Sequence, residues 1–391
     1  MLEDLDENKF CLATFLDLTN AFDCVDRELL LKKLERYGIR GTPLNLLSSY
    51  LNNRFQFVCL PDRSAFPNRT SLFTGITPNH FTSPLTIIKY GVPQGSILGP
   101  LLFLVYVNSL VKDNIMYADD TTCISVHRSL EQLEIDANIQ INVLTQELAT
   151  HKLLVNSKKT NSILFQPKRK SLDFEPTLNI DYCPVINCSG ARFLGLHVDS
   201  DLKWSSHVDV IIGKICSGLF VLRNISKLCS KNLLLLVYFA LVQSHISYGI
   251  ALWGACSVYK MESILKLQKR AIRYICGLPR DSHCRPLFKD LKILTAPSLY
   301  IFEVCLLTKK NANSLRRLGD THTYETRHKN KFEVPPHRTC RYELKPSYQG
   351  IKFYEALPNI IRMEENFIKF KSSLKKYLID KSYYKVNELF E

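Results

Sequence analysis

Two adjacent carboxylates, Asp119 and Asp120, follow a short apolar run, Ile115-Met116-Tyr117, and precede a β-prone one, Thr121 to Val126. That pattern reads as two short strands joined by a tight turn carrying both acids. Neighbouring carboxylates repel and drive up each other's pKa, and a dication held between them removes that cost. Alone, the pair is far more often an ordinary acidic turn; its company decides. A third acid, Asp17, ends an almost unbroken apolar run, Phe10 to Leu16, far upstream. Three such carboxylates can hold two Mg²⁺ ions, or Mn²⁺ in their place, about 3.5–4 Å apart. Magnesium favours a few carboxylates supplemented by substrate phosphate and water. The chemistry to which this leads is activation of a hydroxyl nucleophile and neutralisation of a leaving phosphate.

These acids need a frame. The run 10–16 suits a central strand covered on both faces, with Asp17 at its end. Asp26 is a good N-cap, Leu29, Leu30, Leu34 and Tyr37 share a helical face, and Gly38 stops that helix. A second helix covers roughly 43–51, and residues 54–60 read as a strand. Residues 61–85 read as a loop or ragged hairpin. Gly91-Val92-Pro93-Gln94-Gly95-Ser96 precedes an apolar helix; its glycines let backbone approach a ligand, and Ser96 can cap the helix. Gln94, between Pro and Gly, is held out where its amide can donate and accept. After the acidic hairpin, Leu130, Leu133, Ala137, Ile141, Leu144 and Leu148 line one face of a helix over 129–150. A strand follows at 162–165, and Phe193-Leu194-Gly195-Leu196 is a hairpin candidate. The order is that of an α+β fold with helices on one face of a small, mainly antiparallel sheet.

From about residue 205 the period becomes helical, with Val208, Ile211, Ile212, Ile215, Leu219 and Leu222 on one face and further helices over about 231–246 and 257–276. This predicts three parts: 1–200, a helical domain over 201–280, and a basic, mostly helical C-terminal region over 281–391. Within the last, 320–350 is basic and rich in Pro, His and Tyr, suiting either nucleic-acid contact or a solvated loop. His337 and Cys340 have no neighbours that complete a metal site. Asn366 caps a final helix with Phe367, Phe370, Leu374 and Tyr377 on its apolar side and lysines on its wet face.

The chain has 391 residues, is 46% hydrophobic and 23% charged, and carries a net charge of +14, which is globular material with an excess suited to a polyanion. Thirteen cysteines, with no CxxC pair, read as free thiols in a reducing compartment, nucleus or cytoplasm. The N-terminus lacks a secretory core, and the apolar run 233–242 is too short to span a bilayer, so no membrane partner is expected. Oligomeric state cannot be read from the sequence.

Taken in order, Phe15-Leu16-Asp17-Leu18-Thr19-Asn20-Ala21-Phe22-Asp23, Gly91 to Ser96, Tyr117-Ala118-Asp119-Asp120, Asn156 with Lys159-Thr160, and Phe193-Leu194-Gly195 resemble the palm of a reverse transcriptase, more narrowly that of non-LTR (LINE-type, jockey-like) retrotransposons. Trp204, Tyr248-Gly249, Trp253-Gly254, Gln268 and Ala271-Ile272-Arg273 resemble the region after that palm. The resemblance implies a polymerase palm over 1–200, a thumb-like helical domain, and two-metal transfer of a dNTP to a DNA primer on an RNA template. It implies Asp17, Asp119 and Asp120 as metal ligands and Lys159 as proton donor to the leaving pyrophosphate. Phe22 would pack under the incoming sugar, Gln94 and Gly95 would line the template–nucleotide pocket with Tyr117 nearby, and Phe193 to Leu196 would support the primer end. The family's basic fingers region and upstream endonuclease do not precede Asp17 here. We therefore expect a truncated product with weak or no polymerase activity by itself. The rival readings are a catalytically silent nucleic-acid-binding remnant and an RNA-templated RNA polymerase, the latter disfavoured by Phe22.

Overall fold

The computed structural model describes residues 1–61, 80–110, 114–167, 174–320 and 329–391. At its centre lies β1 (Phe10–Leu16), buried along almost its whole length. With β2 (Asn114–Tyr117), β3 (Asp120–His127), β4 (Asn161–Phe165) and β5 (Ile186–Asn187) it forms a five-stranded sheet in the order β5-β4-β1-β3-β2. All pairs are antiparallel except β5 with β4.

The alternation of side chains along β1 assigns each to one of two cores. Phe10, Leu12 and Leu16 join the cluster under the helices Arg27–Arg36, Leu98–Val107 and Leu130–Thr150. Cys11 and Ala13 face the opposite way, toward Leu5, Ile163, Phe165 and Val198. That second face is covered by a short helix, Leu2–Asp6, and by a hairpin of β6 (Gly190–Phe193) and β7 (Leu196–Asp199). The acidic N-terminal segment, unassigned from sequence, is thus part of the packing. The six apolar positions expected along 129–150 are all buried, and Asp26 accepts from the Leu29 amide as an N-cap.

The strand expected over 54–60 is two short ones, Arg54–Gln56 paired with Thr86–Ile88 and Cys59–Pro61 paired with His80–Thr82. The rest of the 61–85 segment, residues 62–79, lies outside the described residues, as do Arg327 and His328 of the basic stretch.

Beyond residue 200 the fold is helical: Ser205–Ile225, Lys231–Tyr238, Val258–Cys276, Ala296–Lys310, Pro346–Ala356 and Phe367–Lys381. The apolar run 233–242 passes from α-helix into a π turn at Phe239–Gln243, with Leu234, Tyr238 and Val242 buried. One hydrophobic cluster extends from Leu196 to Leu389, so the boundary expected near residue 280 falls inside a shared core. Gln268, fully buried, ties the two stretches together. Its amide donates to the Tyr238 hydroxyl and the Leu294 carbonyl and accepts from the Ala296 amide, each at 2.9 Å. The first and last parts of the chain also meet. Asp6 accepts from the backbone amides of Arg338 and Thr339 and from the Thr339 hydroxyl. Among the described residues, no helix is long and apolar enough to cross a membrane.

Candidate active site

Strand register brings the acids together. In the β1–β3 pairing Leu16 lies opposite Thr121, so the next position outward sets Asp17 beside Asp120. In the β2–β3 hairpin Tyr117 faces Asp120, leaving Ala118-Asp119 as a two-residue turn. Ala118 sits at φ 55°, left-handed backbone that costs a non-glycine residue about 1 kcal/mol. That strained turn carries Asp119 out beside the strand end. Burial, followed by the charges of Asp119 and then Asp17, raises the pKa of Asp120 above the ordinary carboxylate range. The three carboxylates therefore feel one another. They do not converge into a ready-made cage: among the described residues no three acidic, histidine or cysteine side chains are placed to grip an ion without rearrangement. Mutual repulsion turns such side chains apart, and a magnesium site completed by phosphate and water does not need a full cage.

The backbone of Asp17 is pinned by the turn after the long helix. Its carbonyl accepts from the Asn156 amide at 2.8 Å, and its own amide donates to the Thr160 hydroxyl at 3.4 Å. The same turn places the Lys159 ammonium 3.7 Å from the Asp17 carboxylate. Both are solvent-exposed, so the pair adds little stability and leaves the ammonium available.

The opposite wall is the glycine-rich segment. The Gly91 amide donates to the Val25 carbonyl and the Val92 amide to the Phe22 carbonyl. A Cβ on Gly91 would lie 2.8 Å from the Asp23 Cα, and its φ of 82° is left-handed, so this close approach requires glycine. Gln94 is held as its setting predicts, its amide donating to the Asp23 carboxylate at 2.8 Å. Ser96 accepts from the Gly99 amide at the start of the following helix. Phe22 stacks on Phe103 with ring centroids 4.5 Å apart and keeps part of its surface open.

Between these walls is a cleft of about 510 Å³ lined by Asp17, Phe22, Asp23, Gln94, Gly95, Asp119, Asn156 and Lys159, among others. Tyr117 and Asp120 are not on its lining; Tyr117 is two-thirds exposed beside the turn.

Sequence reasoning missed Arg27. This buried guanidinium donates to the carbonyls of Gly91, Ile88 and Tyr90 and so clamps the glycine-rich segment onto the loop after β1. At the first position of an amphipathic helix, nothing distinguished it from a surface residue. Tyr248 was read only as part of a motif. Its hydroxyl donates to the Leu194 carbonyl, and its own carbonyl accepts from the Trp253 indole at 2.8 Å. It thereby locks the β6–β7 turn onto the helical region, while Phe193 packs on Phe15 of β1.

The family described as "Reverse transcriptase (RNA-dependent DNA polymerase)" matches residues 2–198. The "Probable RNA-directed DNA polymerase from transposon X-element" of Drosophila melanogaster is 27% identical over 75% of this chain and 31% of its own length. That from transposon BS is 25% identical over 81% of this chain and 34% of its own. The "RNA-directed DNA polymerase from mobile element jockey" of the same species is 23% identical over 75% and 31%. The chain thus spans about a third of the length of the curated relatives it matches. An apo telomerase from Candida tropicalis superposes with a TM-score of 0.32 at 14% identity, covering 74% of this chain and 47% of that one, too low a score to bear on the argument. With four of the five blocks lying around one cleft and the family match covering half of the chain, the chain belongs to the reverse transcriptase (RNA-dependent DNA polymerase) family, among relatives from LINE-type, non-LTR elements.

Proposed function

We propose that this chain supplies the catalytic part of an RNA-directed DNA polymerase of a non-LTR retrotransposon, extending a DNA primer on an RNA template with dNTPs. The observation that carries this is the register that sets Asp17 beside Asp120 at a cleft whose far wall is the Gly91–Gly95 segment. The donor set fits divalent metal: three carboxylates at one strand end, with the pKa of Asp120 raised by burial first and then by the charges of Asp119 and Asp17. Two Mg²⁺ ions, or Mn²⁺, when bound there would acidify the primer hydroxyl and neutralise charge on the triphosphate. Asp17 and Asp119, on the cleft wall, and Asp120 beside them would hold these ions. Lys159, beside Asp17, would pass a proton to the departing pyrophosphate. Phe22, backed by Phe103, would close the floor under the sugar, and Gln94, held by Asp23, would face the nascent base pair. The hairpin turn at Leu194-Gly195, fixed by Tyr248, would support the primer end.

In this reading residues 1–200 are the palm, 201–280 its thumb-like helices and 281–391 a basic extension that shares their core, working in the nucleus or cytoplasm. Primer extension with Mg²⁺ on an RNA template tests it. The full chain should extend the primer, weakly if a fingers region is needed, and Asp119→Asn should lose at least a hundredfold while melting as wild type. Equal extension by the variant would sink the assignment. Hybrid binding without extension by either protein would favour the silent nucleic-acid-binding remnant, and preference for rNTP would favour the RNA polymerase reading.

A further inference from the structure

The helix Val258–Cys276 ends at Gly277, whose φ of 65° turns the chain away. Beside that turn is a recess of about 270 Å³ walled by Arg270, Arg273, Tyr274, Leu278 and Arg280. Three of its five walls are guanidinium groups and none is an acid. Arg273 is fixed in place, its Nε and Nη2 both donating to the Ser282 carbonyl at 3.1 and 2.9 Å. That occupies two of its five N–H donors. Arg270 and Arg280 are exposed.

Two more cations stand close to Arg273 without lining the recess, Lys269 and Arg285, over the Tyr384 ring at 3.6 and 4.5 Å. Burial, with repulsion from Arg273 and Arg285, holds the Lys269 ammonium below its usual range. The acids near this cluster are few: Glu388 is paired with Arg285, and Asp281 follows Arg280 in the chain. Favourable placement at a helix C-terminus accounts for Arg273. It does not account for Arg280, which lies beyond the helix, or for the concentration of like charge around a concavity. None of these residues lines the catalytic cleft.

We propose that this recess binds the sugar–phosphate backbone of a single nucleic-acid strand, with Arg270 and Arg280 on successive phosphates and Tyr274 against a base. Guanidinium forks match phosphate geometry, and an aromatic ring among them suits a base irrespective of sequence. The site is a second point of contact, outside the cleft, and requires no polymerase chemistry.

The test is fluorescence anisotropy of a labelled single-stranded RNA oligonucleotide with the full chain, without dNTP or divalent metal, so that failure of catalysis leaves the measurement intact. The double variant Arg270→Glu/Arg280→Glu should bind at least about tenfold more weakly. Its slope of log affinity against log salt should be shallower by about 1.4, from roughly 0.7 per lost phosphate. The comparison is Lys371→Glu/Lys375→Glu, which changes net charge equally on the exposed side of the last helix and should stay within about twofold of wild type. Wild-type affinity and slope in the arginine variant, or an equal loss in the lysine variant, would overturn the proposal. Should charge reversal lower the urea midpoint, Arg270→Gln/Arg280→Gln reads the same two quantities, with wild-type values again decisive against it.

Discussion

Lowering the pH should unlatch the junction between the β6–β7 hairpin and the helical region through His207. This side chain is 4% exposed on the helix Ser205–Ile225. Its Nδ1 accepts from the His197 amide at 3.3 Å, and the rings of Trp204 and Trp253 lie 6.3 and 6.1 Å away. Burial, helped by His197 and Lys214 and opposed by Asp199, pulls its pKa from 6.5 down to about 4. A histidine kept neutral in the fold contributes full stability above its unfolded value and loses it as pH falls toward the folded one. Stability should therefore be flat near pH 7.5, about 2 kcal/mol lower by pH 5 and about 3 kcal/mol lower near pH 4, on this group alone. Carboxylates titrate in the same window, so the comparison is with His207→Asn, whose amide oxygen can accept from His197 without taking a proton. Urea midpoints read by tryptophan fluorescence are apt, because the chain's two tryptophans are these two neighbours. Wild-type stability should fall relative to the variant's as pH drops from 6.5 to 4. Parallel curves across that interval would show that His207 is not held neutral by its surroundings.

Removing the clamp with Arg27→Ala leaves the carbonyls of Gly91, Ile88 and Tyr90 without their donor and should cost about 3 kcal/mol in urea unfolding. Arg27→Lys should recover little of it, since one ammonium cannot match a three-way fork; full recovery would discount the fork geometry. Tyr248→Phe deletes the donation to Leu194 and should raise the KM for primer roughly fivefold, the equivalent of about 1 kcal/mol, with the KM for dNTP unchanged. Equal change in both constants would argue against a primer-side role. Phe22→Val should raise rNTP over dNTP incorporation by roughly tenfold or more in steady-state kinetics. An unaltered ratio would assign Phe22 to the core it shares with Phe103.

Features with strong local signals were legible in the sequence. The apolar run ending at Asp17 suits a covered strand and forms one, and the 3.6-residue spacing from Leu130 to Leu148 marked the buried face of its helix in full. Asp17, Phe22, Gln94, Gly95, Asp119 and Lys159, singled out largely by the resemblance, line one cleft. What sequence concealed was chiefly partnership across distance. An amphipathic face does not say which other face covers it, so the common core of 201–280 and 281–391 was invisible until Gln268 was seen bridging them. Arg27 looked like any surface arginine because its three partners are carbonyls some sixty residues away. The helix Leu2–Asp6 is one turn long, too short for periodicity to register. Adjacent residues in a hairpin diverge, which is why Tyr117 stands beside the cleft and not in it.

The grip of Asp6 on Arg338 and Thr339 makes the chain a buckled belt, its early and late portions fastened beside the strand that ends in Asp17. A protease nick in any exposed connection between the two would yield pieces that separate on a denaturing gel yet travel together through gel filtration. The same fastening means that trimming the tail back past Thr339 would strip the amides from a buried carboxylate and loosen the sheet from its far side. Damage near residue 339 would then be felt at the cleft beside Asp17.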